Sequence, residues 1–346
     1  MSVDLATLAV RRKLSLDELN GRSVAIDAYN VLYQFLTIIR GPDGTPLSDA
    51  NGNVTSHLSG LFYRTIELID NGITPIYVFD GIPSKLKQKT IEARMGRRNE
   101  ALEAWAQAKK EGNLEDARKY AQQSTRINKY IVESSRHLLE LMGVQYVNAP
   151  GEGEAQASRM CRDGIVYAAA SQDYDTLLFG SPLVVRNLTI SGRRKLPSKN
   201  IFINIEPEIV SLEETLKNLG ITQRKLIWIG ILLGTDFNDG IKGVGPKTAI
   251  KIVNGASSLS DVEAYIKDKY KVEFSSDVNE VEDLFLNPEV SESDIGSAVR
   301  GFRGIMNKAS LLDFMCKEHG FSEDRIGKFV DKLDAKNSSR GQHRLF

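Results

Sequence analysis

Short apolar runs with the composition of β-strands alternate with helical segments through the first half of this 346-residue chain. Each run is bounded by turn residues and is rich in β-branched or aromatic side chains, which is typical of a strand. The four clearest runs are Ser23–Asp27, Thr74–Asp80, Gly143–Asn148 and Ile165–Ala170. The alternation predicts an α/β fold in which a mostly parallel central sheet is flanked by helices.

Acidic side chains follow each of these predicted strands. They are Asp27, Asp80, Glu152, Glu154, Asp173 and Asp175, with Asp236 in a later loop as a seventh candidate. In open parallel sheets, ligands bind outside the carboxyl ends of the strands, so we expect these acids to meet at one edge. Any single Asp-x-Asp or Glu-x-Glu pair is more often a surface turn. Their shared position at all four strand ends is what indicates a functional site.

A cluster of carboxylates opposes folding unless a cation is bound, because two charges about 4 Å apart repel by about 4 kcal/mol at an effective dielectric near 20. The two cysteines and four histidines are scattered without a metal-ligand spacing. Ligands that are oxygens alone suit hard cations such as Mg²⁺. Two such ions would support in-line hydrolysis of a phosphodiester. A phosphatase that uses one Asp of the Asp-x-Asp pair as its nucleophile is an alternative at this point.

A long insertion, roughly Lys85–Met142, separates the second and third predicted strands. It is helical in character, with a break at Gly112-Asn113. Apolar and small residues recur at spacings of three and four from Leu114 to Leu138, which predicts one packed stripe in its second half. We therefore expect a two-helix projection over the sheet.

Charge is balanced in total, at 45 basic and 45 acidic residues, but not in place. From Lys85 to Arg136 there are 13 Lys and Arg against seven Asp and Glu, a net of +6. From Asp261 to Asp294 there are 11 acids and three bases, a net of −8. This segregation indicates one side that faces a polyanion and one turned away from it, although solvated helix faces would also explain it.

Glycines mark a second candidate site, in the segment DGIKGVGPKTAIKIV. Gly243 and Gly245 bracket a tight turn, Pro246 suits the first turn of a helix, and Lys247 points into the same region. This helix–hairpin–helix-type element can hold a phosphate through exposed N–H groups without reading bases. The structural alternative is a plain corner between two helices.

Three further features complete the expected organisation. The stretch Leu183–Asn204 is predicted to form a hairpin around Ser191-Gly192, and the chain beyond Ile221 is predicted to be mostly helical. The longest apolar stretch, Leu226–Leu233, is far too short to span a bilayer, and the start lacks a secretory profile. With so few cysteines, we expect a soluble protein of a reducing, intracellular compartment.

Taken together, these motifs resemble the flap endonucleases, members of the structure-specific 5′ nuclease family, of the compact archaeal type. The resemblance covers nearly the whole chain. The matching segments are AIDAYNVLYQFL, TSHLSGLFYRTIELIDNGITPIYVFDGIP, NAPGEGEAQAS, SQDYDTLLFG, GILLGTDFN and GIKGVGPKTA. It implies two halves of a nuclease core, 1–102 and 143–258, around a helical arch and cap at 103–142 that begins near residue 85. A helical part of the same globule, 259–333, and a clamp-binding tail, 334–346, would follow.

The resemblance also implies roles for individual residues. The seven acids would hold the metal ions, with Asp80 and Asp173 central to catalysis. Lys87 and Arg94, at the base of the arch, would polarise the scissile phosphate and offset charge in the transition state. Tyr33 would stack on a nucleotide near the cut.

Further residues match DNA contacts of that family. They are Arg40, Thr55, Arg64, Glu152, Gly234, Gly243, Gly245 and Lys247. Thr55 lies in the segment that resembles a pocket for a one-nucleotide 3′ flap, and the glycine hairpin could also hold a monovalent cation. Gln342, Leu345 and Phe346 resemble the start of the family's sliding-clamp (PCNA) binding motif, whose aromatic pair is incomplete here.

The implied activity is cleavage of one phosphodiester at a junction of single-stranded and duplex DNA that carries a 5′ flap, with 5′–3′ exonuclease activity and 5′-phosphate products. The implied setting is Okazaki fragment maturation and repair. Two Mg²⁺ ions, or Mn²⁺ in their place, would be the cofactors. We expect a monomer located in the cytoplasm with the nucleoid if the source is archaeal. A noncatalytic junction-binding adaptor, a 5′ exonuclease and a junction resolvase are the rival functions.

Overall fold

A computed structural model describes residues 3–190, 192–195, 202–274, 277–291 and 306–342. Its centre is a seven-stranded sheet in the order β1-β9-β6-β5-β2-β3-β4, with a separate two-stranded sheet formed by β7 and β8. The strands are β1 Arg11–Lys13, β2 Ser23–Asp27, β3 Thr74–Phe79, β4 Gln145–Asn148, β5 Ala168–Ala170, β6 Leu183–Arg186, β7 Gly192–Lys195, β8 Phe202–Ile205 and β9 Glu208–Ser211. Strands β2 to β6 pair in parallel, and β9 and β1 add antiparallel pairs at one edge. The predicted α/β fold with a mostly parallel sheet is confirmed.

Helices cover both faces of this sheet. They are α1 Ala28–Ile38, α2 Ser56–Asp70, α3 Gln88–Lys110, α4 Leu114–Gln123, α5 Lys129–Leu141, α6 Gly153–Arg162, α7 Asp175–Leu178, α8 Leu212–Leu219, α9 Gln223–Leu233, α10 Pro246–Asn254, α11 Leu259–Tyr270, α12 Val278–Leu286, α13 Lys308–Leu312 and α14 Glu323–Gln342. Short 3₁₀ turns, Leu16–Leu19 and Lys85–Lys87, and a π-helical turn, Asp313–Glu318, complete the elements. No described helix is both long and apolar enough to cross a membrane.

The central strands are buried on both sides because successive side chains point to opposite faces. In β2, Val24 and Ile26 pack into the cluster under α1 and α2, whereas Ala25 packs towards α6. Strand β5 is three buried alanines, which leave room for α6 to pack on it. This two-sided burial explains why the strands read as continuous apolar runs rather than as alternating ones.

The insertion begins as predicted and then departs from the prediction. Helices α3 and α4 form the expected projection, here named the arch, and the chain reverses at Gly112, whose φ is +70°. The predicted stripe is not one helix, since the chain breaks between Ser124 and Asn128 before α5 begins. Leu114, the first residue of that stripe, is exposed, because the small residues of α4 make the packing contacts instead.

The predicted hairpin of Leu183–Asn204 is wrong in its pairing. Its first run, β6, joins the main sheet beside β5, where Val184 and Val185 are buried, and the two-stranded ladder forms between β7 and β8 instead. Burial of two valines in the core outweighs a local turn at Ser191-Gly192, a segment that lies partly outside the described residues.

The C-terminal part also differs from the prediction. Helix α14 continues to Gln342 through most of the segment expected to be a separate tail, anchored by Ile326 and Val330 in the core next to α2. Leu345 and Phe346 lie outside the described residues, so the clamp-binding motif stays a prediction, as do the domain boundaries.

Candidate active site

All seven predicted acids line a single cavity of about 1100 Å³ at the carboxyl edge of the sheet. The parallel register brings them there: Asp27 on β2 pairs with Val78 on β3, and Asp80 follows two residues later. Asp27 begins α1, and its Oδ1 accepts a hydrogen bond from the amide of Asn30 at 3.0 Å. Because strand ends fix six of the acids, and the turn after α9 carries Asp236, the backbone already holds the cluster in place.

Asp80 is held by the neighbouring strand connection. The amide of Gly153, at the start of α6, donates to its Oδ1 at 2.7 Å. A Cβ at Gly153 would lie 2.6 Å from the same oxygen, so only glycine allows this approach. The predicted motif APGEGEA therefore positions Asp80 as well as its own two glutamates.

Hydroxyl and amide donors hold three more of the acids. Glu154 Oε1 accepts from Ser171 Oγ at 2.6 Å and from Thr176 Oγ1 at 3.0 Å. Asn30 Nδ2 donates to Asp173 Oδ2 at 3.2 Å, and the amide of Val3 donates to Asp175 Oδ1 at 3.0 Å. These neutral donors fix the carboxylates without cancelling their charge.

Burial and mutual repulsion raise the proton affinity of the cluster. Burial, with the charges of neighbouring acids, raises the pKa values of Asp27 and Glu154 well above their ordinary range. For the same reasons the pKa of Asp80 rises to about 6 and that of Asp175 to about 7. Electrostatic strain of this kind is typical of sites that bind cations or transfer protons.

Two cations from the base of the arch reach into the cluster. Lys87 Nζ lies 2.5 Å from Glu152 Oε2 and 3.6 Å from Asp236 Oδ2, and Arg94 Nη2 lies 2.5 Å from Asp236 Oδ1. Burial alone would lower the pKa of Lys87, but Glu152 and Asp236 raise it above its ordinary value. Conversely, burial would raise the pKa of Asp236, but Arg94 and Lys87 hold it below its ordinary range. Two acids, Glu152 and Asp236, are thus paired with cations, whereas the pKa values of Asp27, Asp80, Glu154 and Asp175 stay raised.

Oxygen ligands are the only metal ligands that this cluster offers, which fits a hard divalent cation. Within the described residues, no three acidic, histidine or cysteine side chains are arranged so that they could hold a metal ion as they stand. Lys87 and Arg94 already pair with oxygens of Glu152 and Asp236, two of the predicted ligands. Movement of the Lys87 side chain would free Glu152 Oε2 for another cation.

The arch forms the other wall of the cavity. Arg97, Arg98 and Tyr120 line it opposite the acids, together with Tyr33 from α1. The Arg98 guanidinium lies 5.8 Å from the centre of the Tyr33 ring, within cation–π range. A ligand that enters this cavity would face acids on the sheet side and cations on the arch side.

A loop after α1 holds the arch in this position. Trp105 Nε1 on α3 donates to the carbonyl of Asp43 at 3.2 Å. Gly44 packs directly on α4, where an added Cβ would lie 2.6 Å from Ala121 Cβ. Arg40 Nη2 donates to Thr125 Oγ1 at 2.6 Å, just beyond α4.

Three of the predicted DNA contacts are used within the protein. Arg40 also donates to the carbonyls of Leu36 and Gly44, Arg64 is only 14% exposed and pairs with Glu67, and Thr55 is buried at the start of α2. As placed, Arg40 holds the loop after α1, whereas Arg64 pairs within its own helix. Their contact with DNA stays a prediction.

The glycine hairpin joins α9 to α10 as predicted. Gly243 has a φ of +87° with open space around it, and Gly245 is the N-cap of α10, ahead of the exposed Lys247. Gly234, with a φ of +93°, is needed for packing, since a Cβ there would lie 2.7 Å from the amide nitrogen of Gly240. That tight turn presents Asp236 to the cavity.

Sequence reasoning missed the hydroxyls that orient Glu154. The signal was present, because Ser171 and Thr176 flank the two acids of the motif SQDYDT. It was missed because a serine beside an acid is common in turns, and its partner lies on another element.

Comparison with known proteins decides the family. Models of the XPG N-terminal domain and the XPG I-region match residues 4–101 and 143–236. Flap endonuclease 1 of Pyrococcus furiosus is 48% identical over 96% of this chain and 95% of its own length. The chain belongs to the flap endonuclease family. The predicted family and the predicted nuclease activity are confirmed.

Solved structures agree with the family. The flap endonuclease-1 structure from Methanococcus jannaschii superposes with a TM-score of 0.74 at 38% identity, covering 98% of this chain and 99% of that one. The Holliday junction-resolving enzyme GEN1, in complex with product DNA and a Mg²⁺ ion, matches at 18% identity with a TM-score of 0.61, covering 96% of this chain and 77% of that one. At that identity, the likeness to GEN1 shows the fold alone. The flap endonuclease cavity described above lies at the carboxyl edge of this shared fold.

Proposed function

We propose that this flap endonuclease cuts one phosphodiester of branched DNA carrying a 5′ flap, close to the junction, and leaves 5′-phosphate and 3′-hydroxyl ends. The observation that carries the proposal is the meeting of seven acids and two cations in one cavity beneath the arch. The setting that membership of the family implies is Okazaki fragment maturation and repair.

We propose that the seven acids hold two Mg²⁺ ions, for which Mn²⁺ would substitute. Burial and the charges of neighbouring acids raise the pKa values of four acids, and a bound cation would offset this cost; they are Asp27, Asp80, Glu154 and Asp175. When bound, the two ions would supply Lewis-acid activation of water and neutralise charge on the leaving oxygen.

Lys87 and Arg94 would act on the scissile phosphate. Each is ion-paired with a cavity acid and could exchange that partner for a phosphate oxygen. Fixed cations aimed at oxygens that gain charge in the transition state lower the barrier more than they strengthen binding.

Tyr33 and the glycine hairpin would hold the DNA on either side of the cut. The Tyr33 ring lines the cavity and offers a face for stacking a base. Lys247 and the amides at the start of α10 would bind duplex phosphates, which position DNA without reading its sequence. A fixed distance between hairpin and acids would therefore set the cut site by geometry, and a monovalent cation at the hairpin would strengthen this contact.

The decisive experiment compares Asp80→Ala with Asp268→Ala, an exposed acid on α11, on a labelled 5′-flap substrate. Asp80→Ala should lose nearly all cleavage in Mg²⁺ while binding the flap with little change, and Asp268→Ala should cut normally. Cleavage by Asp80→Ala at a rate near that of the unaltered chain would refute the assignment of the acids.

A substrate panel distinguishes this function from its rivals. A 5′-flap should be cut faster than a nicked duplex, and a four-way junction should be cut slowest. Preference for the nick would favour a 5′ exonuclease, and preference for the four-way junction would favour a resolvase. No Mg²⁺-dependent product on any of them would favour a noncatalytic adaptor.

We further propose a monomer that works beside the nucleoid in the cytoplasm and binds a sliding clamp through Gln342, Leu345 and Phe346. Removing residues 342–346 should abolish comigration with the clamp in size-exclusion chromatography and leave flap cleavage unchanged. Comigration of the shortened chain would show that the contact lies elsewhere.

A further inference from the structure

Ile82 stands out as an apolar side chain held in water beside the proposed catalytic acids. It is 82% exposed, against at most 56% for any other large apolar side chain in the described ranges. It belongs to none of the three apolar clusters that the described residues form. Isolated exposed apolar residues are ordinary on protein surfaces, so its exposure needs a second observation to carry meaning.

That second observation is the rigidity of the backbone that carries it. The amide of Gly81 donates to the carbonyl of Gly151 at 2.7 Å, and the amide of Ile82 donates to the carbonyl of Pro150 at 3.0 Å. A Cβ at Gly81 would lie 2.2 Å from the carbonyl oxygens of Ala149 and Pro150. Glycine is therefore required for these two segments to touch, and the contact fixes the backbone that carries Ile82.

Position provides the third observation. Ile82 lies two residues after Asp80 and five before Lys87, and both of its neighbours, Gly81 and Pro83, line the cavity. The side chain is β-branched and so has few rotamers, which makes it a stiff projection at the rim. A DNA strand that brought its scissile phosphate to Asp80 would come close to this rim.

We propose that Ile82 is a positioning residue that packs against a nucleobase or deoxyribose next to the scissile phosphate. An aliphatic side chain gains nothing from a charged phosphate, whereas apolar wedges that contact bases unstack neighbouring steps and bend DNA. This would help to separate the nucleotide at the cut from its neighbour. The inference rests on the proposed function and adds to it the part of the DNA that Ile82 contacts.

Three variants test the contact. Ile82→Ser removes the apolar surface, Ile82→Val keeps a β-branched apolar side chain, and Val272→Ser alters an exposed apolar residue outside the cavity. The substrate is a 5′ flap with 2-aminopurine at the nucleotide on the 3′ side of the cut. Its fluorescence is read in Ca²⁺ without Mg²⁺, and single-turnover rates are read in Mg²⁺ with enzyme in excess.

Ile82→Ser should lower the single-turnover rate about tenfold, equivalent to about 1.4 kcal/mol. It should also lose at least half of the fluorescence rise on binding, with the dissociation constant changed less than twofold. Ile82→Val and Val272→Ser should both behave as the unaltered chain does. The thermal unfolding midpoint should not change in any of the three.

Equal rates and equal fluorescence in Ile82→Ser and the unaltered chain would overturn the inference. A rate loss shared by Ile82→Val, or one accompanied by a lower unfolding midpoint, would show a structural role instead and overturn it as well. Failure of the unaltered chain to cut any flap would refute the proposed function. The fluorescence comparison, which needs no cleavage, would still decide the contact of Ile82.

Discussion

Replacing Asp80 with asparagine should make the metal-free protein more stable while it removes catalysis. The buried Asp80 carboxylate repels Glu152 and Asp236 and is strained by its burial, which raises its pKa from 3.8 to about 6. Asparagine keeps an oxygen that can accept the hydrogen bond from Gly153, but it carries no charge. The variant therefore removes the repulsion and retains the local structure.

The size and the pH dependence of this gain follow from the shift. A pKa raised from 3.8 to about 6 corresponds to about 3 kcal/mol of destabilisation, at about 1.36 kcal/mol per pKa unit. Below about pH 4 the carboxyl is protonated in both folded and unfolded chains, so the variant should gain almost nothing. The advantage should grow between pH 4 and 6 and stay constant above that, since the folded state then bears the full cost of ionisation.

Chemical denaturation in EDTA at pH 4.5 and pH 8 measures this gain, with Asp268→Asn as an exposed control that should stay within about 0.5 kcal/mol of the unaltered chain. Mg²⁺ at about 100 times its dissociation constant should stabilise the unaltered chain by about 2.7 kcal/mol and thereby cancel most of the difference. A variant no more stable than the unaltered chain at pH 8, or an advantage that grows towards low pH, would refute the reasoning.

Three further predictions test other parts of the structure. Arg94→Ala should lower the single-turnover rate by about 100-fold or more while the dissociation constant changes less than about threefold. A larger dissociation constant with an unchanged rate would contradict the catalytic role of Arg94. Gly44→Ala should lower thermal stability and expose the arch to limited proteolysis, because its Cβ would meet Ala121. Gly52 has a similar φ with open space around it, so Gly52→Ala should lose only the stability that backbone strain costs. Equal losses of stability in the two variants would show that backbone strain alone matters. Burial lowers the pKa of His57 to about 3, so the folded protein should lose about 2 kcal/mol between pH 7 and pH 5 that His57→Gln does not lose; equal losses in both chains would place the effect on other groups.

The parts that sequence alone predicted well are those controlled by short-range pattern. The strands before Asp27 and Asp80 could be read from β-branched runs, and their acids from position at the strand ends. The break at Gly112 followed from a glycine between two helical segments. These features are local, so neighbouring residues carry enough information to predict them.

One failed prediction depended on a contact between distant segments, and the other on how far a helix continues past its packed residues. Strand β6 pairs in the main sheet because Val184 and Val185 are buried there, and no local turn signal reveals that burial. Helix α14 continued to Gln342, beyond the residues that pack on the core. In both cases the competing local pattern was plausible, and tertiary burial or helix continuation outweighed it.

By itself, the sequence determined the kind of protein this is: an α/β chain with acids at successive strand ends, a basic helical insertion and a glycine hairpin. Those features are matters of order and residue type, which the chain carries before it folds. Only the tertiary structure decided which charges meet, because Lys87 reaches Glu152 across 65 positions and Arg94 reaches Asp236 across 142. It also decided that Arg40 hydrogen-bonds to Thr125 beside the arch and that Ile82 faces solvent. Each outcome depends on which distant segments approach closely enough to bind or bury the side chain.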